Sequence, residues 1–316
     1  MHAIGFDTYG APQVLHPVNL PDPTPGAGEV LVRVAAAGVA PVDAMARSGL
    51  LAALYEGQQP PFVPGMEIAG TVEALGIGVS DDELSAGTPV AAFVDFKGAH
   101  GGYSELLALP AESVVRAPAG LSMPEAATTV LNPLTARNAL DALDLPAGAT
   151  LLVTGAAGAV GRYLVQLAVH AGLRVVAQAS AGNEKLVRDL GAAWFVPRDA
   201  DLAQAVRAQL PDGVDAVVDT ANIGVAVADA VRDGGQYAAL RPSADEAGRS
   251  IAVKGLNVRQ RATDHAAIAA LRDLFDQGVL TARLGEVVPA RDAARAHELL
   301  EAGGLRSRIA LDLTAF

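Results

Sequence analysis

The stretch VTGAAGAVG, residues 153–161, follows an apolar run and precedes an amphipathic one. Its glycines Gly155, Gly158 and Gly161 recur at every third position. Such a turn between a strand and a helix suits two roles. It is either a tight packing turn without a ligand, or a cradle in which backbone N–H groups and a helix N-terminus face phosphate. The surrounding pattern has to decide between them.

After residue 150 the chain alternates between strand-like and helix-like segments. Residues 150–155 form a buried-type strand, and the helix predicted over 159–171 places Val160, Leu164 and Leu167 on one face. Further strands are expected at 174–179, 194–197, 216–220, 236–240 and 251–258, with helices near 184–190 and 202–210. Six strands with intervening helices predict an α/β fold with a parallel, doubly wound sheet.

The first 120 residues have a different character. Short β-prone runs separated by proline and glycine predict a mostly antiparallel, barrel-like domain, followed by helices at 124–131 and 135–143. The last segment contains two helical patterns and an apolar strand at 308–313, which we expect to return to the first domain. The predicted domains are therefore residues 1–120 with 265–316, and residues 121–264.

Composition excludes several classes of function. The net charge of −12 argues against nucleic acid as the main partner, because a phosphate-tracking surface needs clustered lysine and arginine. With no cysteines, the chain has no disulfides, thiolate zinc ligands or cysteine nucleophiles, and its histidines lack metal-ligand spacing. No apolar run is long enough for a membrane span, and the first residues lack a signal-peptide pattern. We expect a cytoplasmic protein without a metal site.

Placement at the head of a doubly wound sheet favours the phosphate cradle. Gly158 and Gly161 match the last two glycines of the dinucleotide fingerprint G-x-G-x-x-G, and Ala156 takes the first position. The predicted cofactor contacts in this loop are Gly155, Gly158, Ala159, Val160 and Gly161.

The end of the second strand favours NADPH over NADH. An NAD site usually has a carboxylate there for the ribose 2′-hydroxyl, whereas this chain reads Gln178-Ala179-Ser180 with no acid before Glu184. Ser180, Lys185 and Arg198 are candidates for binding a 2′-phosphate. The alternatives are an ordinary solvated helix lysine and an ordinary loop arginine.

Six further segments occur in a recognisable order. They are PVDAMARSG (41–49), PPFVPGMEIAGTVEALGIGV (60–79), GGYSELLALP (101–110), PLTARNAL (133–140), VVDTANIG (217–224) and VPARDAARAHELLEAGG (288–304). With the glycine loop they resemble the medium-chain dehydrogenase/reductase superfamily, specifically its zinc-independent, zeta-crystallin-like quinone oxidoreductase branch. The resemblance implies a GroES-like catalytic domain, a Rossmann domain, a cleft where NADPH meets substrate, and a homodimer through edge strand 251–258.

The resemblance also implies a reaction. It is hydride transfer from NADPH to a quinone or an α,β-unsaturated carbonyl, with the cofactor supplying the chemistry. Zinc alcohol dehydrogenases carry a His-Glu pair where this chain has Met66 and Glu67. Together with the missing cysteines, this disfavours a zinc alcohol dehydrogenase and makes Glu67 a structural acid.

Candidate contacts to substrate and nicotinamide follow from the same motifs. Residues proposed to line the cleft are Asp43, Arg47, Tyr55, Asn132 and Arg241; those proposed near the nicotinamide and its ribose are Thr135, Thr220, Asn222 and Leu240. For Asp43 and Arg47 the alternative is a structural ion pair or turn cap, and for Tyr55 it is core packing.

Two departures from the family pattern bear on activity. Ala40 stands where quinone reductases commonly have asparagine, and Leu51 where they commonly have tyrosine. These changes remove polar groups from the nicotinamide side of the cleft. The alternative function is therefore a non-catalytic NADPH-binding sensor or structural protein.

Overall fold

The chain divides into two compact units, which are described separately. The structure is a computed structural model that describes residues 1–80, 84–97, 99–241, 247–305 and 307–316. The first unit comprises Met1–Leu131 and Arg259–Phe316, and the second comprises Asn132–Val258. None of the helices in the described ranges is both long and apolar enough to cross a membrane.

Fifteen strands are numbered here in chain order over the described ranges. They are β1 (His2–Gly5), β2 (His16–Asn19), β3 (Glu29–Val39), β4 (Glu67–Leu75), β5 (Pro89–Phe93), β6 (Leu106–Pro110), β7 (Val114–Arg116), β8 (Thr150–Thr154), β9 (Arg174–Ala179), β10 (Trp194–Pro197), β11 (Val214–Asp219), β12 (Val231–Ala239), β13 (Ala252–Gly255), β14 (Leu284–Pro289) and β15 (Arg308–Asp312).

The α-helices in those ranges are numbered in the same way. They are α1 (Pro41–Arg47), α2 (Met123–Ala126), α3 (Leu131–Leu143), α4 (Gly161–His170), α5 (Glu184–Asp189), α6 (Leu202–Arg207), α7 (His265–Asp276) and α8 (Ala293–Ala302).

The second unit contains a parallel six-stranded sheet in the order β10-β9-β8-β11-β12-β13. The strands β8, β9 and β11 are buried almost throughout, as expected for a parallel sheet covered on both faces. The strand order reverses between β8 and β11, which is the arrangement of a doubly wound fold. The sequence prediction of this fold class is confirmed.

The first unit is built on a mainly antiparallel sheet in the order β14-β15-β3-β4-β5-β7, with β6 also paired to β3. The C-terminal strand β15 runs antiparallel to β3, with Ile309 opposite Val39. Strand β14 was missing from the sequence prediction. Three of its six residues are half-exposed and two are exposed, so it lacks a buried apolar run, and its parallel pairing with β15 defines it.

Residues 121–131 belong to the first unit, although the sequence pattern assigned them to the second domain. Small side chains explain the packing, since Ala126 and Ala127 lie in one buried cluster with Ala36 of β3 and Ala69 of β4. The helix predicted over 124–131 is only the short α2, and α3 begins at Leu131 rather than residue 135. Pro133 is accommodated because it lies in the first turn of α3.

A buried ion pair connects three strands of the first unit with the start of α3. Glu67 on β4 is fully buried and pairs with Arg308 on β15. Its second oxygen accepts the backbone N–H groups of Val130 and Leu131, at 3.3 and 3.0 Å. Arg308 also donates to the Val39 carbonyl at 3.2 Å. Each charge therefore depends on the other, because an unpaired buried charge is costly.

We expect Arg308→Met to lower the free energy of unfolding by about 3–5 kcal/mol, since it leaves the Glu67 carboxylate buried without a cation. Adding Glu67→Gln should recover part of this loss, because the amide keeps an oxygen for the α3 N–H groups and carries no charge. Urea unfolding of the single and double variants measures the coupling.

The control is Arg33→Met, which breaks the exposed pairs of Arg33 on β3 with Glu73 on β4 and with Glu105, and it should cost less than about 1 kcal/mol. Strictly additive losses from Arg308→Met and Glu67→Gln would contradict the interpretation.

Candidate functional site

The glycine loop connects β8 to α4 in a tight turn with little space for side chains at its glycine positions. Gly155 has φ +58°, in the left-handed region. A Cβ on Gly161 would lie 2.2 Å from the Gly155 carbonyl oxygen, and one on Gly158 would lie 3.0 Å from the same atom. The turn itself therefore requires glycine at position 161, with or without a ligand, and it leaves little space for a side chain at position 158. Evidence for a ligand has to come from the free polar groups of the loop.

The first part of the loop is held by Gln178 at the end of β9. Its side-chain oxygen accepts the Gly155 N–H at 3.2 Å, and its backbone carbonyl accepts the Ala156 N–H at 2.9 Å. Gln178 is buried, with 3% of its surface exposed. The sequence did not single it out as a site residue. A polar side chain inside the buried run RVVAQA was the available signal, because buried polar groups take a specific partner.

The later part of the loop leaves donors free. Within the described residues, the backbone N–H groups of Ala159, Val160 and Gly161 have no hydrogen-bond acceptor. No side chain caps the N-terminus of α4. Such groups, with the helix dipole behind them, favour a bound anion. This chemistry fits the pyrophosphate of a dinucleotide.

The turn after β11 lies against the glycine loop. Thr220 donates its hydroxyl to the Thr154 carbonyl at 2.6 Å, and a Cβ on Gly155 would lie 3.0 Å from that hydroxyl oxygen. Asn222 has φ +55°, and the Leu240 N–H bonds weakly to the Asp219 carbonyl at 3.4 Å. The structure thus brings Gly155, Thr220 and Leu240 to neighbouring strand ends. They surround the point where the strand order reverses.

The three residues proposed for a 2′-phosphate follow β9 and β10. The Arg198 N–H donates to the Ala179 carbonyl at 2.8 Å, so Arg198 and Ser180 lie at adjacent strand ends. The Ser180 hydroxyl accepts from Asn183 at 2.8 Å. Lys185 is 88% exposed and pairs with Asp189 at 2.7 Å, four residues further along α5. An exposed pair of this kind is weak, so the lysine is available to a competing phosphate.

The five residues proposed to contact substrate fall into two groups. In the first unit, Asp43, Arg47 and Tyr55 are buried, and the Tyr55 hydroxyl donates to the Val63 carbonyl at 3.4 Å. In the second unit, Asn132 lies in the first turn of α3 with 5% of its surface exposed, and Arg241 is exposed after β12. The Asn132 amide nitrogen has no partner within the described residues. Thr135, half-buried, is one turn further along α3.

The contacts of Asp43 and Arg47 are structural. One Asp43 oxygen accepts the Ala40 N–H at 2.8 Å and caps α1, while the other accepts the Gly65 N–H at 3.1 Å. Arg47 pairs with Glu301 of α8. These interactions join α1 to a neighbouring loop and to α8. They require no substrate.

The buried His297 is linked to Asp43 through Tyr103. The Tyr103 hydroxyl donates to Asp43 at 3.5 Å and shares a hydrogen bond of 3.1 Å with His297 Nε2. Burial raises the pKa of Asp43 to about 7, from an ordinary 3.8. Burial, and then the Arg47 charge, lowers the pKa of His297 to about 3, from 6.5. Both groups are therefore favoured in their neutral forms.

The two shifts act on stability in opposite directions. Between pH 4 and 6.5 the folded chain holds the Asp43 proton that the unfolded chain releases, so this carboxyl favours folding more as pH falls. Over the same range the unfolded chain binds a proton at His297 that the folded chain does not, so folding loses stability as pH falls. The two contributions compensate.

We expect His297→Gln to remove the second contribution while keeping a hydrogen-bond partner for Tyr103. Relative to wild type, its free energy of unfolding should rise by up to about 1.4 kcal/mol per pH unit as pH falls from 6.5 to 4.5. Urea titrations across that range measure the difference, and Asp43→Asn should give the opposite slope. If the difference in free energy of unfolding between His297→Gln and wild type does not change with pH, a neutral His297 in the folded chain is refuted.

The residues at the position of a zinc-ligating pair do not fit the ion. Met66 is buried, one Glu67 oxygen is committed to Arg308, and the other is committed to two backbone N–H groups. The chain has no cysteine. In the part that the structure describes, no group of three histidine, aspartate or glutamate side chains is arranged to hold a metal.

Two family profiles match the chain. The alcohol dehydrogenase GroES-like domain matches residues 26–119, and the zinc-binding dehydrogenase matches residues 190–311. The GroES-like domain and the doubly wound domain expected from the resemblance are confirmed.

Curated relatives include a chloroplast envelope quinone oxidoreductase homolog from Arabidopsis thaliana, 33% identical over 70% of this chain and 68% of its own. An NADPH-dependent alkenal/one oxidoreductase of the same plant is 32% identical over 76% of this chain and 62% of its own. A quinone oxidoreductase from Pseudomonas aeruginosa is 36% identical over 60% of this chain and 56% of its own. The chain thus spans between about half and two thirds of these relatives' lengths.

Solved structures resemble the chain over nearly its full length. The quinone oxidoreductase from Coxiella burnetii has a TM-score of 0.85 at 26% identity, covering 99% of both chains. A mycobacterial protein complexed with NADPH has a TM-score of 0.83 at 31% identity, covering 98% of this chain and 99% of its own. The chain therefore belongs to the medium-chain dehydrogenase/reductase superfamily, in its quinone oxidoreductase branch, whose members use a nicotinamide cofactor.

Proposed function

We propose that the chain is an NADPH-dependent oxidoreductase that transfers hydride to a quinone or an α,β-unsaturated carbonyl without zinc. The observation that carries this proposal is the uncapped N-terminus of α4 behind the glycine loop, where the strand order reverses. Relatives named quinone oxidoreductase and alkenal/one oxidoreductase support the acceptor class.

The end of β9 favours NADPH over NADH. A carboxylate that would hold a 2′-hydroxyl and repel a 2′-phosphate is missing there. The first acid, Glu184, is engaged by Arg188 at 2.9 Å on α5. Ser180 offers a hydroxyl, and Lys185 and Arg198 offer positive charge. The NADPH-dependent alkenal/one oxidoreductase and the mycobacterial protein complexed with NADPH support this assignment.

When bound, the nicotinamide supplies the hydride. The contribution of the chain is to bind and orient. The free N–H groups at the start of α4 would hold the pyrophosphate, while Thr220, Asn222 and the backbone near Leu240 would border the nicotinamide ribose. Precise placement lowers the barrier without a metal, because an electron-poor acceptor takes hydride directly, and the enolate or quinolate that results takes its proton from water.

Ala40 and Leu51, which stand where quinone reductases commonly have polar residues, favour an apolar acceptor. Ala40 is buried at the start of α1, and Leu51 is half-buried. Neither offers a hydrogen bond from its side chain to a carbonyl oxygen. Both oxygens of Glu67 already have protein partners, so we propose no metal ion bound there as a Lewis acid. An alcohol, which needs its oxygen polarised, is therefore a poor substrate.

The non-catalytic alternative is favoured by the same two residues. If Ala40 and Leu51 abolish productive substrate binding, the chain binds NADPH without turnover.

The homodimer and the cytoplasmic location also stay predictions. The strand suggested for the dimer contact, β13, lies at the edge of its sheet, and Val253 on it is 42% exposed.

The assay that separates enzyme from sensor follows NADPH oxidation over a panel of quinones and enones. We expect turnover with at least one acceptor, unchanged by EDTA, and no oxidation of simple alcohols by NADP⁺. Gly158→Val, which places side-chain atoms beside the Gly155 carbonyl, should abolish both binding and turnover. Tight NADPH binding without oxidation by any acceptor would favour the sensor.

The cofactor preference has its own test. Lys185→Ala and Arg198→Ala should each raise the Kd for NADPH about tenfold, since each removes a charge contact worth about 1.4 kcal/mol or more, and should leave the Kd for NADH unchanged. The matched control is Arg137→Ala, which removes the cation of a similar exposed pair with Asp141 on α3 and should affect neither cofactor. Equal losses for NADPH and NADH would refute the assignment.

A further inference from the structure

The fully buried carboxylate of Asp219 has no part in the proposed function so far. It ends β11, directly opposite Thr154, which ends β8. These two strands flank the point where the order of the sheet reverses. Ligands of doubly wound sheets bind outside the carboxyl ends of such strands. Asp219 therefore lies beneath the predicted cofactor site.

Hydrogen bonds from three groups converge on this carboxylate. The Thr154 hydroxyl donates to one oxygen at 2.6 Å, and the Ala221 N–H donates to the same oxygen at 3.2 Å. The Gly224 N–H donates to the other oxygen at 2.8 Å. Within the described ranges no arginine, lysine or histidine pairs with Asp219. Its charge is balanced by neutral donors, and two of them belong to the turn that follows.

That turn, residues 220–224, does not have a relaxed backbone. Asn222 and Gly224 have φ values of +55° and +96°. Left-handed backbone at a residue other than glycine is disfavoured and has to be held by its surroundings. The Asp219 bonds to Ala221 and Gly224 span Asn222 and supply that restraint. The turn is thereby fixed against Gly155, the first glycine of the loop.

The position of the turn identifies which half of the cofactor it serves. The 2′-phosphate of the adenosine half is proposed at the end of β9, on the side of the sheet formed by β8, β9 and β10. The other mononucleotide half of a doubly wound fold, β11 to β13, then receives the nicotinamide half. Residues 220–224 follow the first strand of this second half.

We propose that Asp219 is a positioning residue, which holds the 220–224 turn in the conformation that binds the nicotinamide half of NADPH. This inference depends on the proposed function, because it assumes that the site binds a dinucleotide.

The test compares two probes that share the adenosine half. Asp219→Asn should raise the Kd for NADPH about tenfold, because a neutral amide accepts weaker hydrogen bonds, and should leave the Kd for 2′,5′-ADP within about twofold of wild type. Without any ligand, the amide hydrogens of Ala221 and Gly224 should exchange faster in the variant.

The chain contains a matched control at the other end of the same two strands. Asp215 accepts the Thr150 hydroxyl at 2.8 Å and the Thr150 N–H at 2.7 Å, at the amino ends of β11 and β8. Asp215→Asn should leave both Kd values unchanged. If Asp219→Asn does not fold, Thr154→Val removes only the hydroxyl and should give a smaller loss with the same selectivity.

Equal losses for NADPH and 2′,5′-ADP, or no loss for either, would overturn the positioning role of Asp219. Failure of the wild-type chain to bind NADPH would instead overturn the proposed function, and this inference with it.

Discussion

The free N–H groups at the first turn of α4 are the constraint on which the candidate site depends. A tight glycine turn brings the chain from β8 into a helix without a capping side chain, so the N–H groups of Ala159, Val160 and Gly161 have no acceptor within the described residues. An uncapped helix start is normally satisfied by water or by a ligand. This helix start lies where the strand order reverses. The ligand it favours is therefore a dinucleotide, which lies across the two halves of such a sheet.

Two buried polar side chains support that turn from opposite sides. Gln178 holds its beginning, and Asp219 holds the neighbouring turn that packs on Gly155. The first unit uses buried polarity in a different way. There Glu67, Arg308, Asp43 and His297 join strands and helices to one another. Their hydrogen bonds and ion pairs connect elements of that unit and contribute to its stability.

Much of this arrangement could be predicted from the sequence because it is periodic. Alternating apolar strands and amphipathic helices predicted the doubly wound sheet, and the glycine spacing located the turn at its head. Strand β14 was not predicted because five of its six residues are exposed or half-exposed and its pairing with β15 defines it. Gln178 and Asp219 were not predicted as site residues for a related reason. Their roles depend on which atoms of neighbouring strands lie in register, and residues 154 and 219 are brought together only by the sheet.

The measurement that tests the central claim most directly is a crystal structure of the chain with NADPH bound. The account predicts pyrophosphate oxygens within about 3 Å of the backbone nitrogens at the start of α4, with the 2′-phosphate beyond the end of β9 and the nicotinamide beside residues 220–224. A dinucleotide bound elsewhere, with the Ala159, Val160 and Gly161 N–H groups donating only to water, would contradict it.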